Sequence, residues 1–303
     1  MKMNEKEIEK YKQKCKLTEH EYQGYLKAAI EKFAKGKKKS NNPIAIYVAG
    51  QTGAGKSNLV KLINQRIGGK DNAVIYDFDI IKTMHPKYSD IRTITQTVHD
   101  ILMPDAGRIV DDLREYCREE RLNIINDGTM KWYPASIESL GNFKRAGYYV
   151  ELDILSVPKL ESYGSTLWRY AEALQTDNLP RFVSRKIHDE SYDGLLVTLD
   201  ELTKRNLYDK ANVYRRGIDG EGDMPIKIYS TNEHQFHSAL EAVSWGRKQY
   251  KQMAVDKFPQ MYRKVESIFK IKAPDKVNLL EDWKLLYQEE KTLLSTTRDC
   301  ERN

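Results

Sequence analysis

The 303-residue chain has only three cysteines, Cys15, Cys117 and Cys300, which lie far apart and form no C-x-x-C pair. This excludes a disulfide framework and leaves no zinc-ligand spacing. So sparse a thiol content fits a reducing cytoplasm. No uninterrupted apolar run approaches the roughly 20 residues that cross a bilayer, and the opening Met1-Lys2-Met3-Asn4-Glu5-Lys6-Glu7 lacks the apolar centre of a secretory signal. A cytoplasmic protein with no membrane partner is expected. Internal repeats are absent, and 40% hydrophobic with 10% aromatic residues is ordinary for a globular chain. The body of the chain also lacks an excess of positive charge. The net +6 arises within residues 1–40, which hold twelve lysines and six glutamates; the remainder carries 38 basic and 38 acidic groups. A nucleic-acid binder would show a basic stripe on its folded body. No nucleic-acid partner is therefore expected, and Lys35-Gly36-Lys37-Lys38-Lys39 reads as a solvated linker.

What is present begins with Gly50-Gln51-Thr52-Gly53-Ala54-Gly55-Lys56-Ser57, which fills every fixed position of G-x-x-x-x-G-K-[ST]. Before it, Ile44-Ala45-Ile46-Tyr47-Val48 reads as a buried strand, and after it Asn58-Leu59-Val60-Lys61-Leu62-Ile63 has helical apolar spacing. Strand, glycine loop and helix come in the order a phosphate loop requires. Gly50, Gly53 and Gly55 are expected to adopt backbone conformations closed to other residues, so that amide N–H groups face a polyphosphate. Lys56 would then reach the β and γ phosphates of ATP, or alternatively GTP, and Ser57 would hold Mg²⁺.

Residues 1–34 predict one or two polar helices with a thin stripe of Tyr22, Leu26, Ala29, Ile30 and Phe33, followed by a linker from Lys35 to Asn42. Further strands are expected over Ala73–Tyr76, Leu122–Asn126, Tyr148–Val157, Val213–Arg215 and Ile226–Tyr229. Helical stretches are expected over Ser89–Glu120, broken near Pro104, over Pro134–Ala146 and over Lys159–Asn206. Such alternation implies an α/β fold of P-loop kinase type, a mostly parallel central sheet with helices on both faces. The expected organisation is a basic arm and linker (1–42), a kinase core (43–231) with a helical lid near 159–206, and accessory C-terminal helices (232–303) broken at Pro259 and Pro274.

Ligands of open parallel sheets sit beyond the carboxyl ends of the strands, where Asp77, Asp79 and Asp127 fall. A phosphoryl transferase needs a cradle, a metal, a group that orients the acceptor hydroxyl, and cations for the transferred charge. Asp79 suits the base, Asp77 the metal or its waters; both also suit helix N-caps for the segment that follows. Asp127 reads as a carboxylate that binds Mg²⁺ through water, or as a turn former before Gly128. Arg169, Arg181 and Arg185 are either lid cations or surface arginines. A guanine-nucleotide switch is disfavoured because no N-K-x-D motif occurs. A binding module working through the basic arm and tail is the remaining class.

The wording around these positions resembles the zeta toxin family, P-loop kinases of bacterial toxin–antitoxin systems that phosphorylate UDP-N-acetylglucosamine. Ala49 to Ser57 is similar to the family's G-G-Q-P-G-[SA]-G-K-[TS], departing at Ala49 and Thr52. Asp77-Phe78-Asp79, Lys82 and His85-Pro86 resemble its D-x-D-x-x-[KR]-x-x-H-P, and Asp127-Gly128-Thr129 its E-G-T. Val157-Pro158-Lys159, Ser162-Tyr163 and Arg169-Tyr170 resemble its V-P block, and Arg181 with His188-Asp189 its second lid arginine. The blocks recur in order from about Leu17 to Tyr229. The resemblance implies that Asp79 is the base on the sugar 3'-hydroxyl, that Lys56, Arg169 and Arg181 neutralise the phosphoryl group, and that Asp111, Thr129 and Lys131 read the sugar nucleotide. Asp111 and Asp127 stand where the family has glutamates and Lys131 where it has arginine, so the acceptor side is altered. The alternative acceptors are another sugar nucleotide, a nucleoside or an antibiotic. The resemblance also implies a small helical antitoxin as partner and a block of peptidoglycan synthesis as outcome.

Overall fold

The computed structural model describes residues 4–69, 71–92, 98–176, 182–217, 224–231 and 236–300. Six strands, β1 (Ile44–Ala49), β2 (Val74–Ile75), β3 (Ile124–Gly128), β4 (Tyr149–Leu155), β5 (Lys210–Arg215) and β6 (Ile226–Ser230), form one sheet in the order β2-β3-β1-β4-β5-β6. β2 pairs in parallel with β3, and β4 with β5 from Glu151↔Lys210 to Leu155↔Tyr214; β6 returns antiparallel to β5. The fold is thus α/β with a mostly parallel sheet. Its strand order reverses at β1. Along β1, Ala45 to Ala49 are all buried, the continuous apolar pattern of a parallel strand covered on both faces.

Two compact units divide the chain. The first comprises residues 1–46, 63–127 and 145–149. Its helices are α1 (Glu5–Cys15), α2 (Glu19–Phe33), α4 (Phe78–Thr83), α5 (Tyr88–Arg92) and α6 (Val98–Glu119). Capping boxes start α1 at Asn4 and Glu7 and α2 at Thr18 and Glu21, satisfying amides that the first turn leaves unpaired. α2 buries Tyr22, Tyr25, Ala29 and Phe33, so the stripe runs through Tyr25 rather than Leu26 and Ile30. Tyr22 Oη donates to Asp112 Oδ2 at 2.6 Å, and α1 contributes Cys15 to a cluster with Ile91, Ile101 and Leu102. The arm is therefore packed. Its lysine segment is also held, because Lys39 bridges the backbone of Leu122 and its ammonium lies 2.6 Å from Glu120.

The expected break at Pro104 does not occur: α6 continues through it. A helix-interior proline costs about 3 kcal/mol, whereas Leu102, Ala106, Ile109, Leu113 and Cys117 are buried at helical spacing, and each fully buried Leu or Ile contributes about 1.5–3 kcal/mol. Packing outweighs the proline, which faces solvent.

The second unit comprises residues 47–62, 128–144 and 150–303. α3 (Lys56–Arg66) begins in it, and α7 (Tyr133–Arg145), α8 (Lys159–Leu174), α9 (Arg185–Lys204), α10 (Ala239–Gln249), α11 (Lys251–Lys272) and α12 (Glu281–Cys300) belong to it. Leu160, Tyr163, Leu167, Tyr170 and Ala171 of α8 form one core with Val255, Phe258, Tyr262, Val265 and Phe269 of α11 and Trp283 and Leu286 of α12. α8 was expected as part of a polar lid, but a full face of it is core. Pro259 fails to break α11 for the reason given for Pro104, whereas Pro274 does interrupt the helices and opens the 3₁₀ turn Pro274–Leu280.

Candidate functional site

The loop after β1 is shaped by two glycines rather than three. Gly53 and Gly55 have φ of +76° and +93°, the left-handed region that favours glycine. A Cβ on Gly53 would lie 2.0 Å from the Ser162 carbonyl oxygen. Gly50 does not take a left-handed conformation; its position is crowded, with Ala54 Cβ 3.2 Å from where a Cβ would stand. Lys56 Nζ donates to the carbonyls of Gly50 at 2.9 Å and Gln51 at 3.4 Å, so the lysine folds back along the loop. Ser57 is exposed in the first turn of α3. The Thr52 amide donates to Ser191 Oγ of α9 at 3.2 Å.

Arg216 encloses the outer side of the loop. It follows β5 directly and donates through Nη2 to the Gly53 carbonyl, through Nε to Ala54 O at 3.3 Å and through Nη1 to Ser165 Oγ at 2.8 Å and Glu161 Oε1 at 3.2 Å. Sequence reasoning did not select it, although its place at the carboxyl end of a strand was the available signal.

Gln51 and Ala54 are buried floor residues. Gln51 is fully buried and donates through Nε2 to Val157 O at 2.8 Å and Ser162 Oγ at 3.1 Å. Ser162 Oγ lies 2.9 Å from His188 Nε2, and His188 Nδ1 lies 3.2 Å from Asp189 Oδ1. The Ser–His–Asp sequence of contacts is that of a nucleophile relay, yet Ser162 and His188 are fully buried and Ser162 Oγ also contacts Pro158 O at 3.0 Å. A buried, fully engaged hydroxyl attacks nothing. Burial pushes His188 down to about 4 against the upward pull of Asp189, so it is neutral at physiological pH. This polar layer supplies the physical reason for the motif positions Gln51, Ser162 and His188-Asp189.

On the same unit, Thr129 and Lys131 follow β3 through Met130, whose φ of +50° is unusual for a side-chain-bearing residue. Lys131 Nζ pairs with Glu190 of α9 at 3.2 Å. A Cβ on Gly194 would lie 2.3 Å from the Lys131 carbonyl, so α9 meets this loop closely. Arg169 is exposed on α8, and Arg185 is held by Asp189 at 2.8 Å and Glu289 at 3.3 Å. Arg181 lies outside the described residues.

The other unit carries the remaining candidates. Asp77 caps α4, its Oδ1 accepting from the amides of Asp79 at 2.7 Å and Ile80 at 3.2 Å. Asp79 is not the cap; its Oδ1 lies 3.2 Å from Nζ of Lys82, a lysine only 1% exposed that also stands 4.4 Å from the Phe78 ring centroid. Asp111 is exposed on α6 and paired with Arg114 at 3.1 Å; Asp127 is exposed at the end of β3. Among the described residues, no three His, Cys, Asp or Glu side chains gather as a metal cage. Mg²⁺ at phosphates needs only one or two protein ligands, the rest being phosphate and water.

Residues 28–232, more than half of the chain, match the sequence family described as zeta toxin. The chain belongs to the zeta toxin family. It is 26% identical over 218 residues to toxin zeta of Streptococcus agalactiae, covering 71% of this chain and 73% of that protein, and 27% identical over 201 residues to toxin PezT of Streptococcus pneumoniae serotype 4, covering 66% and 79%. A structure from the PezAT chromosomal toxin–antitoxin system of Streptococcus pneumoniae superposes with a TM-score of 0.67 at 24% identity, over 81% of this chain and 98% of that one. The AvrRxo1-ORF1:-ORF2 structure with ATP shares the fold alone, at a TM-score of 0.54 and 13% identity over 89% and 88%.

The architecture is accordingly that of a P-loop kinase, and the family is one of kinase-like toxins. The zeta toxin match contains the phosphate loop, Asp77, Asp79, Asp111, Asp127, Thr129, Lys131 and Arg169. It ends before α10, so α10, α11 and α12 lie beyond it, and side chains of α11 and α12 complete the core around α8.

Proposed function

We propose that this zeta toxin family chain transfers the γ-phosphate of ATP to the 3'-hydroxyl of UDP-N-acetylglucosamine and thereby blocks peptidoglycan synthesis in the cytoplasm, held in check by a small helical antitoxin. The observation that carries the reading is the loop at Gly53 and Gly55: two left-handed glycines, packed so closely that a Cβ on Gly53 would collide with the Ser162 carbonyl, with Lys56 along the loop and Ser57 at the helix start. These residues fit a nucleotide polyphosphate with Mg²⁺. Gly50 to Ser57 would hold the nucleotide, Ser57 the metal, with Asp127 through water and Asp77 by the oxygen its cap leaves over. Bound Mg²⁺ would neutralise charge between phosphates. Asp79 would take the acceptor proton, and Lys56, Arg169 and Arg181 would offset the charge of the transferred group. Asp111, Thr129 and Lys131 would contact the acceptor. The PezAT relationship supports the antitoxin.

A second reading keeps the chemistry and changes the acceptor to another sugar nucleotide, a nucleoside or an antibiotic. It is favoured by the state of the acceptor-side residues: Lys131 is paired with Glu190 and Asp111 with Arg114, and a lysine lacks the bidentate fork an arginine offers a phosphate. Incubation with Mg·ATP and UDP-N-acetylglucosamine, followed by ³¹P NMR, separates the two. A new phosphate monoester, absent for Lys56→Ala and Asp79→Ala, is expected. ATP binding without that product refutes the acceptor.

A further inference from the structure

The floor of the phosphate loop is completed by a residue from outside the family match. Arg247 of α10 donates from Nη2 to Gln51 Oε1 at 3.1 Å, and its guanidinium stacks 3.6 Å from the Tyr192 ring centroid. Only 3% of it is exposed, and Nε and Nη1 have no hydrogen-bond partner among the described residues. The approach of α10 is close: a Cβ on Gly246 would stand 2.6 Å from Ser156 Oγ, which donates to Val243 O at 2.7 Å. A buried guanidinium with two unsatisfied nitrogens is costly, and an apolar side chain of similar volume would serve the packing better. Stability does not explain the charge.

Its geometry does. Arginine is purely a donor, so it dictates that the Gln51 amide turn its oxygen to α10 and its nitrogen to Val157 O and Ser162 Oγ. Gln51 lies between Gly50, whose carbonyl holds Lys56, and Thr52, whose amide is held by α9. We infer that Arg247 is the positioning residue of the phosphate loop, acting through Gln51, and that the C-terminal helices thereby form part of the nucleotide site. This rests on the reading of Gly50 to Ser57 as that site.

The test is a double-mutant cycle in the full chain, reading the dissociation constant for Mg·ATP alongside thermal unfolding, with binding measured far below the transition. Arg247→Met and Gln51→Leu should each weaken binding about tenfold or more, and the double variant should bind no worse than the weaker single one. Arg247→Lys should cost affinity in the natural background and nothing further in the Gln51→Leu background, which keeps the test decisive if Arg247→Met does not fold. Natural affinity in Arg247→Met with a lowered unfolding temperature overturns the inference, as do losses that multiply in the double variant. Failure of the natural protein to bind Mg·ATP instead overturns the reading of the loop, and this inference with it.

Discussion

Mild acid should loosen α9 from α8 through one buried imidazole. His188 is fully buried, with Nδ1 facing Asp189 and Nε2 facing the Ser162 hydroxyl. Burial, the dominant cause, holds it to about 4 against 6.5 in the unfolded chain. The unfolded chain therefore takes up the proton first. The stability from this group is complete above about pH 6.5, falls as pH drops toward 4, and changes no further below that. At 1.36 kcal/mol for each unit, the gap corresponds to roughly 3 kcal/mol, of which about 2 kcal/mol is lost between pH 7 and 5. His85, also lowered by burial, adds in the same direction. Burial alone would raise the Asp189 carboxyl, but hydrogen bonds from Arg185, His188 and Lys159 outweigh it and hold it low, so it titrates below this window. Urea unfolding at a series of pH values reads the effect. His188→Gln should be less stable than the natural protein at neutral pH and flatter by about 2 kcal/mol across the interval. Equal pH dependence in the two proteins would refute the assignment.

Gly53→Ala places a methyl 2.0 Å from a backbone carbonyl at φ +76°; a loss of at least about 2 kcal/mol in denaturant unfolding and of more than tenfold in Mg·ATP affinity is expected. Trp283 is 2% exposed, donates to Leu160 O at 3.2 Å and packs on Gly164. Its replacement by alanine should cost about 3–5 kcal/mol, measured by chemical unfolding, and an unaltered midpoint would show that the tail is dispensable to the core. Asp77→Asn preserves the cap of α4 and removes the charge, so unfolding should be unchanged while the Mg²⁺ concentration for half-maximal transfer rises; a lost cap would show instead as about 1 kcal/mol of destabilisation.

The phosphate loop was legible because its chemistry is local. Gly53, Gly55, Lys56 and Ser57 lie within five residues, between a strand and a helix whose periodicities are clear. Asp77 shows the opposite limit: cap and metal support look alike in sequence, and only the two amides on its Oδ1 reveal the cap. The helices run on through Pro104 and Pro259 because the apolar faces that α6 and α11 bury, which involve partners distant in sequence, outweigh the local cost of a proline. α8 was expected to be polar for the same reason, since its partners α11 and α12 come some ninety or more residues later in the chain.

By itself, then, the sequence determined the elements, the parallel sheet, the phosphate loop and the family wording, all of which depend on short-range spacing and backbone preference. The tertiary structure decided what stands behind the loop: Arg216 on its carbonyls, the Gln51–Ser162–His188 layer beneath it, and Arg247 completing that layer from a helix beyond the family match. These contacts join residues up to 196 positions apart, and burial and hydrogen-bond partnership at that range follow from packing and not from local pattern.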